Sequence, residues 1–268
     1  MNGLNNLIIL RGGGDLGSGV AHRLFNAGFN ILITEIKKPL VIRRMVSFAN
    51  AIYTNISIIE SVIAKFTNSI DEIHAIISNH EIPVIIDSEM SILNNIKPMA
   101  VIDVTLSKKN IGTNNSMADI TIALGPGYCA GKDVDAVIET NRGHNLGRII
   151  YDGYAETDTK EPGSISGYTI ERVLRAPLAG VITNNFDIGA MVKKDEIVSY
   201  ISDIPVKAKI SGVIRGLIMN KSEVMADQKI GDIDPRNKIE YCYTISDKAR
   251  TISGGVLEAL LKLSKKNI

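Results

Sequence analysis

A run of glycines between an apolar segment and a helix-like segment constrains the fold of this chain more than any other feature. Gly12, Gly14 and Gly17 have the G-x-G-x-x-G spacing, directly after the apolar run Leu7–Leu10 and at the mouth of the helix-like stretch Ser18–Ala27. In such a unit the first glycine makes a tight turn, the second lets backbone N–H groups approach a pyrophosphate, and the third allows helix and sheet to pack closely. The spacing therefore predicts a phosphate-binding turn beside a parallel β-sheet.

Further along, β-branched runs alternate with helix-like segments. Ile31–Thr34, Pro83–Ile86 and Val101–Val104 are rich in Ile and Val without polar alternation, which is typical of strands buried on both faces of a parallel sheet. Between them, Ser69–His80 has apolar residues on one face and Ser69 three residues before Glu72, a capping-box arrangement. We expect an α/β fold in which residues 1–128 form a Rossmann-like nucleotide-binding domain, with ligands at the carboxyl ends of its strands.

The rest of the chain, residues 129–268, contains an internal repeat. Ala176–Ile182 aligns without gaps on Ala208–Ile214, an offset of 32 residues, and the match extends over about residues 176–201 and 208–233. Two copies of a small β unit predict a β-rich, pseudo-symmetric domain similar to the barrel-sandwich hybrid of biotinyl and lipoyl carriers. Lys207 ends the segment that joins the copies but lacks the carriers' flanking residues, so a scaffold without a prosthetic group is favoured over a modified lysine. A C-terminal helix is predicted over Val256–Leu263.

Composition excludes several classes of protein. The chain has 30 Lys plus Arg against 29 Asp plus Glu, a formal net charge of +1, which lacks the overall field of a dedicated nucleic-acid binder. No apolar run approaches the roughly 20 residues of a spanning helix, and the N-terminus lacks the pattern of a secretory signal. Cys129 and Cys242 cannot by themselves build a disulfide framework or a four-thiolate zinc site. We expect a cytoplasmic protein with no nucleic-acid or membrane partner and identify no metal site; a homo-oligomeric state is left open.

The candidate cofactor site lies at the first two strand ends. Gly13 and Asp15 lie within the glycine turn, and Glu35 ends the second strand, where an acid can hydrogen-bond a ribose 2′-hydroxyl. Arg43 and Arg44, with two nearby lysines, could meet an anionic ligand across the sheet edge, whereas Glu35 would repel a 2′-phosphate. The pattern favours an NAD-like nucleotide over NADP; the alternative is a glycine turn kept for packing.

Two later loops contain further candidates. Lys108 and Asn110 follow the strand that contains Asp103 and could contact a phosphate, or could belong to an ordinary exposed connection. Glycines, acids, a titratable imidazole and basic side chains then occur within a short span that could bind a ligand or transfer protons. Cys129 in this span could be a reactive thiolate or simply a small loop residue, and His144 could be a turn residue. The candidates in this span are Asp133, Asp135, Glu139, Arg142, His144 and Arg148.

Several strings together resemble the accessory-protein family of selenium-dependent molybdenum hydroxylase systems, which is distantly similar to XdhC/CoxI-like molybdenum-cofactor maturation proteins. The resemblance runs from residue 7 to about residue 262, and it implies that Cys129 is not fixed as cysteine. The strings are RGGGDLGSGVAHRL, TEIKKPLVIRRMVSF, LGPGYCAGKDVDAVIETNRGHNLGR, ERVLRAPLAGV, IGDIDPR, ISDKAR and GGVLEAL. The family residues that the resemblance carries over are Gly12, Gly14, Gly17, Glu35, Arg43, Arg44, Lys108, Asn110, Asp133, Asp135, Glu139, Arg142, His144, Arg148, Asp232, Asp234, Arg236, Lys248 and Arg250.

The resemblance implies a protein that assists maturation of a molybdenum hydroxylase and binds a nucleotide or a molybdopterin-type cofactor. Its expected partners are the hydroxylase apoenzyme or its maturation machinery and a small phosphate-bearing ligand, and no catalytic residue is identified. Two alternatives stay open: an NAD-dependent oxidoreductase that uses Glu35 for the ribose and His144 or a nearby acid for proton transfer, and a non-catalytic scaffold for the hydroxylase. Asp232, Asp234 and Arg236 could equally form a structural turn with an internal ion pair.

Overall fold

The computed structural model describes residues 6–159 and 161–265, and the chain divides into two compact units. Within the described residues, the first unit takes 6–39, 47–159 and 245–265, and the second takes 40–46 and 161–244. This division differs from the boundary drawn at residue 128 and from the placement of the C-terminal helix in the second domain. Composition changes near residue 128 because the strands become short, but the chain stays in the first unit for another thirty or so residues.

A nine-stranded sheet forms the centre of the first unit, in the spatial order β3-β4-β5-β2-β1-β6-β7-β8-β9. Neighbouring strands from β4 to β8 are parallel, whereas β3 runs antiparallel to β4 and β9 antiparallel to β8. The strands are β1 (Leu7–Arg11), β2 (Asn30–Glu35), β3 (Ile56–Ile59), β4 (Val62–Phe66), β5 (Ile82–Ile86), β6 (Ala100–Asp103), β7 (Ile120–Leu124), β8 (Ala136–Ile138) and β9 (Ile149–Ile150).

The expected fold class, a Rossmann-like parallel sheet, is wrong for this sheet, which is mixed. At one edge the chain reverses at Glu60 and Ser61, whose φ angles are 44° and 74°, so that β3 and β4 form a tight hairpin. At the other edge the short strand β9 turns back antiparallel along β8. The Ile- and Val-rich runs predicted four of the inner strands, β1, β2, β5 and β6, because a strand covered on both faces must be apolar throughout; β4, β7 and β8 were not predicted.

Helices pack on the sheet, and small residues allow the first and the last of them to approach each other closely. An ideal Cβ on Gly19 would lie 2.8 Å from the Cβ of Ala249, so the first and last helices approach closely at this glycine. The last helix begins well before the predicted Val256, with Ser246 Oγ accepting a hydrogen bond from the Ala249 N–H at its start. The helices are α1 (Asp15–Asn26), α2 (Ala51–Thr54), α3 (Ile70–Ser78) and α4 (Asp247–Ser264), and 3₁₀ turns cover Arg44–Val46, Phe48–Asn50, Ser91–Asn94, Ile170–Arg172 and Ile239–Cys242.

The second unit consists of two four-stranded antiparallel sheets, ordered β10-β17-β15-β12 and β14-β13-β11-β16. Residues Leu40–Val46 belong to this unit: Ile42 and Met45 pack against its core, and the Ile42 carbonyl accepts a hydrogen bond from the Leu217 N–H at 2.8 Å. The strands are β10 (Val173–Arg175), β11 (Gly180–Asn184), β12 (Met191–Val192), β13 (Ile197–Ile201), β14 (Ile204–Lys207), β15 (Gly212–Leu217), β16 (Glu223–Val224) and β17 (Lys229–Asp234).

The internal repeat corresponds to these strands. The offset of 32 residues places β12 on β16 and β13 on β17, and each sheet contains strands from both copies. Two of the matched positions have left-handed backbone in both copies: Asp195 and Asp227 have φ of 69° and 61°, and Gly189 and Lys221 have φ of 93° and 65°. The copies therefore share their turn geometry, and they interlock through exchanged strands.

Candidate functional site

The order of the strands defines where a ligand could bind in the first unit. From the central strand β1, the chain builds β2 and β5 on one side and then returns to build β6 and β7 on the other. In sheets of this kind the crevice outside the carboxyl ends, at the point where the strand order reverses, is the usual ligand site. Arg11, Thr34 and Asp103 are register partners at this edge, and Glu35 follows Thr34. These strand ends form the floor of the candidate site.

The glycine turn leads from β1 into α1 at this edge. Gly12 has φ of +102° and its N–H donates to the Thr34 carbonyl at 2.8 Å. Gly14 precedes α1 in an extended conformation, with φ −64° and ψ 180°, and as a glycine it provides no side-chain cap. The first N–H groups of a helix point outwards and favour an anion, so the start of α1 has the form of a phosphate site.

Two of the glycines are required by packing. An ideal Cβ on Gly17 would lie 2.6 Å from Val104 Cγ2, and one on Gly13 would lie 2.9 Å from the Ala49 nitrogen. Ser18 Oγ joins these parts, donating to the Gly13 carbonyl at 3.0 Å and accepting from the Phe48 N–H at 2.7 Å. The packing interpretation of the motif therefore accounts for Gly13 and Gly17, and the turn has a fixed shape.

Glu35 is held against the glycine turn. Its Oε1 accepts a hydrogen bond from the Gly13 N–H at 2.8 Å, and its Oε2 accepts one from the Ile36 N–H at 2.8 Å. Burial raises the pKa of the Glu35 carboxyl above its ordinary value, and the two backbone N–H groups oppose that shift. A carboxylate has about four acceptor positions, so both oxygens keep capacity to accept from a hydroxyl group.

A buried polar network underlies the same edge. Asp103, which is fully buried, accepts hydrogen bonds from Thr113 Oγ1 and from the Tyr128 hydroxyl, both at 2.6 Å. Arg11 Nη1 donates to Thr113 Oγ1 at 2.9 Å and lies 3.8 Å from Asp103 Oδ2. Burial, and then the charge of Asp103, raises the pKa of the Tyr128 hydroxyl. Sequence reasoning did not select this network, although charged residues ending two apolar strands were a visible signal.

Lys248 in the first turn of α4 adds a cation near the start of α1. Burial, followed by the charge of Arg142, lowers the pKa of its ammonium group, and Asp15, Asp158 and Glu139 oppose that shift. Lys248 adjoins Ala249, the α4 residue that packs against Gly19 in α1, so it lies where the two helices meet. The resemblance, rather than the cofactor motif, had pointed to Lys248.

The later loop candidates mostly make structural contacts. Lys108 forms an exposed ion pair with Asp158 at 2.9 Å, and Asn110 closes its own loop through Gly112 N–H and the Thr113 carbonyl. Glu139 is almost fully buried, and its carboxylate accepts hydrogen bonds from the N–H groups of Thr140, Asn141 and Glu156 at 2.7 Å. These contacts shape the loops around the strand ends.

The structure does not bring the remaining loop candidates into one site. Arg142 forms a bidentate ion pair with Asp247 at 2.9 and 3.2 Å, and His144 is exposed. Arg148 is exposed, with a long 3.4 Å contact to Asn145. The expected proton-transfer cluster around His144 is therefore not assembled by these contacts.

The two acids of the Cys129 loop have separate roles. Asp133 Oδ2 accepts the Cys129 N–H at 2.9 Å and closes the loop. Asp135 Oδ2 accepts the Thr121 N–H at 2.7 Å near the amino end of β7, the edge opposite the glycine turn. Asp135 is therefore not part of the candidate site.

Arg43 and Arg44 belong to the second unit. Arg43 Nη2 donates to the carbonyls of Tyr241 and Thr244 at 2.9 and 3.1 Å, and Arg44 Nε donates to the Leu217 carbonyl at 3.0 Å and pairs with Asp187. These contacts attach Leu40–Val46 to that unit, a tertiary role that adjacency to Glu35 in the sequence could not show.

The acids of the second unit pair internally, as the structural alternative stated. Arg172 binds Asp232 at 3.0 Å with both side chains buried, and Arg236 Nη2 binds Asp234 at 2.6 Å. Arg215 also lies 3.6 Å from Asp234.

Across residues 6–159 and 161–265, no three His, Cys, Asp or Glu side chains gather into a group that could hold a metal ion. In the same part of the chain, no helix combines the length and apolar character needed to cross a membrane.

Comparison with known proteins gives one relative in sequence and several weak likenesses in structure. No family model matches the chain. It is 45% identical over 262 residues to the uncharacterized protein YqeB of Escherichia coli (strain K12), an alignment that covers 98% of this chain and 48% of YqeB. The chain therefore spans about half the length of the curated relative that it matches.

Similar solved structures include the product-bound ectoine utilization protein EutE (DoeB) from Ruegeria pomeroyi, with 10% identity, 87% and 86% coverage of the two chains and a TM-score of 0.28. An aspartoacylase family protein from Mesorhizobium loti has 12% identity, 85% and 84% coverage and a TM-score of 0.27. A succinylglutamate desuccinylase/aspartoacylase from Rhodobacter sphaeroides has 11% identity, 56% and 61% coverage and a TM-score of 0.24. Likenesses this weak carry no fold or activity over to this chain.

These findings correct the resemblance stated from the sequence. YqeB is uncharacterized, the weakly similar solved structures are named for desuccinylase, aspartoacylase or ectoine utilization, and none of these names is that of an XdhC/CoxI-like protein. The expected function in molybdenum-hydroxylase maturation is therefore wrong. Short glycine- and charge-rich strings reflect turns and ion pairs that unrelated folds also need, which explains how such a resemblance arises.

Proposed function

We propose that the first unit binds a phosphate-bearing nucleotide at the carboxyl ends of β1, β2 and β6. The observation that carries the proposal is the hydrogen bond of 2.8 Å between the Gly13 N–H and Glu35, which fixes a carboxylate beside the turn that leads into α1. The same turn offers N–H groups to the phosphate and an acid to the sugar, the two contacts that a nucleotide needs.

Each end of the ligand has a matching group. The phosphate lies at the start of α1, where the N–H groups and the positive end of the helix dipole favour it, and Lys248, next to the α4 residue that packs on α1, supplies a cation. The ribose hydroxyls donate to Glu35, whose negative charge disfavours a 2′-phosphate. The preferred ligand is therefore NAD-like rather than NADP-like.

The proposal is limited to binding. The molybdopterin-type alternative came only through the corrected resemblance, so it is not retained, and no reaction is assigned to the bound nucleotide. A cytoplasmic location remains part of the proposal, since free Cys129 and Cys242 are compatible with a reducing compartment.

A substitution at Gly14 tests the proposal without damaging the fold. Gly14 has the extended backbone of a helix N-cap, where Asp is a preferred residue, so Gly14→Asp should keep or raise the melting temperature. The new carboxylate would occupy the N–H groups and repel phosphate. Isothermal titration with NAD, ADP-ribose and NADP should show binding of the first two to the unmodified protein and at least a tenfold loss in Gly14→Asp, roughly the effect of 1.4 kcal/mol.

Two further variants serve as controls. Gly14→Asn has the same shape without the charge and should bind with intermediate affinity. Gly254→Asp adds the same carboxylate to α4, at a position where an ideal Cβ meets nothing within 4 Å, and should bind as the unmodified protein does. Absence of saturable binding by the unmodified protein, or equal binding by Gly14→Asp, would overturn the proposal.

A further inference from the structure

A cleft of about 330 Å³ lies between α1 and α4, within the first unit. Its polar lining comes from His22, Arg23 and Asn26 on α1 and from Arg250 and Ser253 on α4. Among the described residues that line it there is no carboxylate. A concave surface that presents two guanidinium groups and an imidazole without an acid is suited to an anion.

Neighbouring groups fix the two guanidinium groups in place. Arg23 Nε donates to Ser253 Oγ at 2.8 Å, and its Nη2 donates to the Arg250 carbonyl at 3.2 Å. Arg250 Nη2 donates to both oxygens of Glu60 at 2.7 and 2.8 Å. Because each guanidinium carries five N–H donors, both keep donors for a ligand, and little side-chain freedom is left to lose on binding.

Glu60 does not line the cleft itself but contacts three residues that do, Arg250, Ile245 and His22. Its carboxylate also accepts the Ile245 N–H at 2.9 Å and lies 3.9 Å from His22 Nε2. Glu60 therefore balances one positive charge, while the charge of the second guanidinium remains available to an anion.

The remaining lining is apolar. Ala27, Ile245 and Leu257 face the same space as the arginines. Inorganic phosphate would not contact these side chains, whereas an anion with a short hydrocarbon group would cover them. Burial of this apolar surface would add to the free energy of binding. The volume is at the lower end of the range of small-molecule sites.

We propose that this cleft is a second binding site, for a small organic oxyanion: a carboxylate or phosphate monoester that carries a short apolar group. The anionic head lies between Arg23 and Arg250, and the apolar part lies against Ile245 and Leu257. The site is separate from the glycine turn, because its α1 residues begin at Gly19, beyond the first turn of that helix. Gly14→Asp should therefore leave it intact.

Titration of the full chain tests the proposal. Calorimetry and ¹H–¹⁵N spectra with n-butyl phosphate, valerate and inorganic phosphate should show saturable binding of at least one organic anion, tighter than inorganic phosphate, with shifts of the His22 and Arg250 signals. The stronger organic probe identifies the head group. Arg23→Met should weaken binding at least tenfold, since a guanidinium–oxyanion contact is a charge-assisted hydrogen bond, and Arg23→Lys should restore part of it.

Matched variants separate binding from folding. Leu257→Asn should weaken n-butyl phosphate but not inorganic phosphate, and Arg175→Met in the second unit should change neither. Thermal melts identify a variant that fails to fold; if Arg250→Met does so, Arg23→Met and Leu257→Asn still decide. The proposal is overturned if the unmodified protein binds neither organic probe at millimolar concentration, or if folded Arg23→Met binds them unchanged.

Discussion

The charged side chains are distributed differently in the two units. In the first, seven parallel strands end at one edge, so Arg11, Glu35 and Asp103 from different strands come together beside a turn with outward N–H groups. In the second, antiparallel strands alternate in direction, and Asp232 and Asp234 pair with arginines of the same unit. The parallel arrangement concentrates groups at one edge, and the antiparallel one distributes them along its sheets. The first unit is therefore where we expect the nucleotide chemistry.

The largest loss of stability should come from removing the buried aspartate that pairs with a buried arginine in each unit. Asp103→Ala leaves Arg11 buried without its charge partner, and Asp232→Ala does the same to Arg172, each costing about 3–5 kcal/mol of the free energy of unfolding. Urea unfolding measures both. Only Asp103→Ala should also abolish nucleotide binding; loss of binding in Asp232→Ala would remove the functional difference between the units.

The repeat predicts matched losses within the second unit. Ile182 and Ile214 are equivalent under the offset and fully buried, so each change to Ala should cost about 2–5 kcal/mol, with the two values within about 1 kcal/mol of each other. Urea unfolding of the two single variants tests this. A much larger cost at one position would show that the interlocked halves are not equivalent in packing.

A smaller contrast concerns two helical glycines of the first unit. Gly17→Ala places a methyl group against Val104 and should destabilise the protein by about 1–3 kcal/mol. Gly254→Ala meets open space and should stabilise α4 by up to about 1 kcal/mol. Thermal melts compare the two, and equal signs would mean that the packing of α1 on β6 is looser than described.

The pH dependence should differ in sign between the units. The pKa of Glu35 is raised on folding, so the folded protein holds that proton more tightly, and its contribution to stability falls as pH rises above about 4.5. Burial alone would raise the pKa of Asp234, but the hydrogen bonds and charge of Arg236 outweigh it and lower the pKa; its contribution is lost as pH falls below about 3.8. Unfolding of Glu35→Gln and Asp234→Asn across pH 3–7 should remove slopes of opposite sign.

Exposed ion pairs should give the smallest effects. Lys108→Met and Arg175→Met each remove one partner of an exposed pair, Asp158 in the first unit and Asp227 in the second. Each should change the free energy of unfolding by less than about 1 kcal/mol, and the change should disappear in about 1 M salt. A larger change at Lys108 would indicate that its loop supports the site more strongly than its exposure suggests.

Local signals in the sequence predicted part of this molecule. The inner strands β1, β2, β5 and β6 follow from their Ile- and Val-rich runs, and the helix after the glycines follows from the motif. The hairpin that makes the sheet mixed could not be foreseen, because Glu60 and Ser61 take positive φ without the Asn-Gly signature of such turns.

In the candidate site, too, the sequence predicted some features and not others. Gly13 and Glu35, both selected from the motif, meet because Gly13 follows β1 and Glu35 ends the neighbouring parallel strand β2. Arg43 and Arg44 do not join them, because main-chain and side-chain contacts hold Leu40–Val46 to the second unit. The hydrogen bond between Tyr128 and Asp103 could not be predicted from the sequence, because it connects two elements that become neighbours only through the order of the strands.

The division of the chain between the units also bears on biosynthesis. Residues Leu40–Val46 are synthesised before the whole of Ser47–Thr159, yet Ile42 and Met45 among them pack against a core whose residues all follow residue 160. The first unit in turn lacks α4 until the second unit has been translated. Each unit therefore lacks part of its core while the residues of the other unit are being translated. A nascent chain halted near residue 160 would expose apolar surface, to which a chaperone could bind.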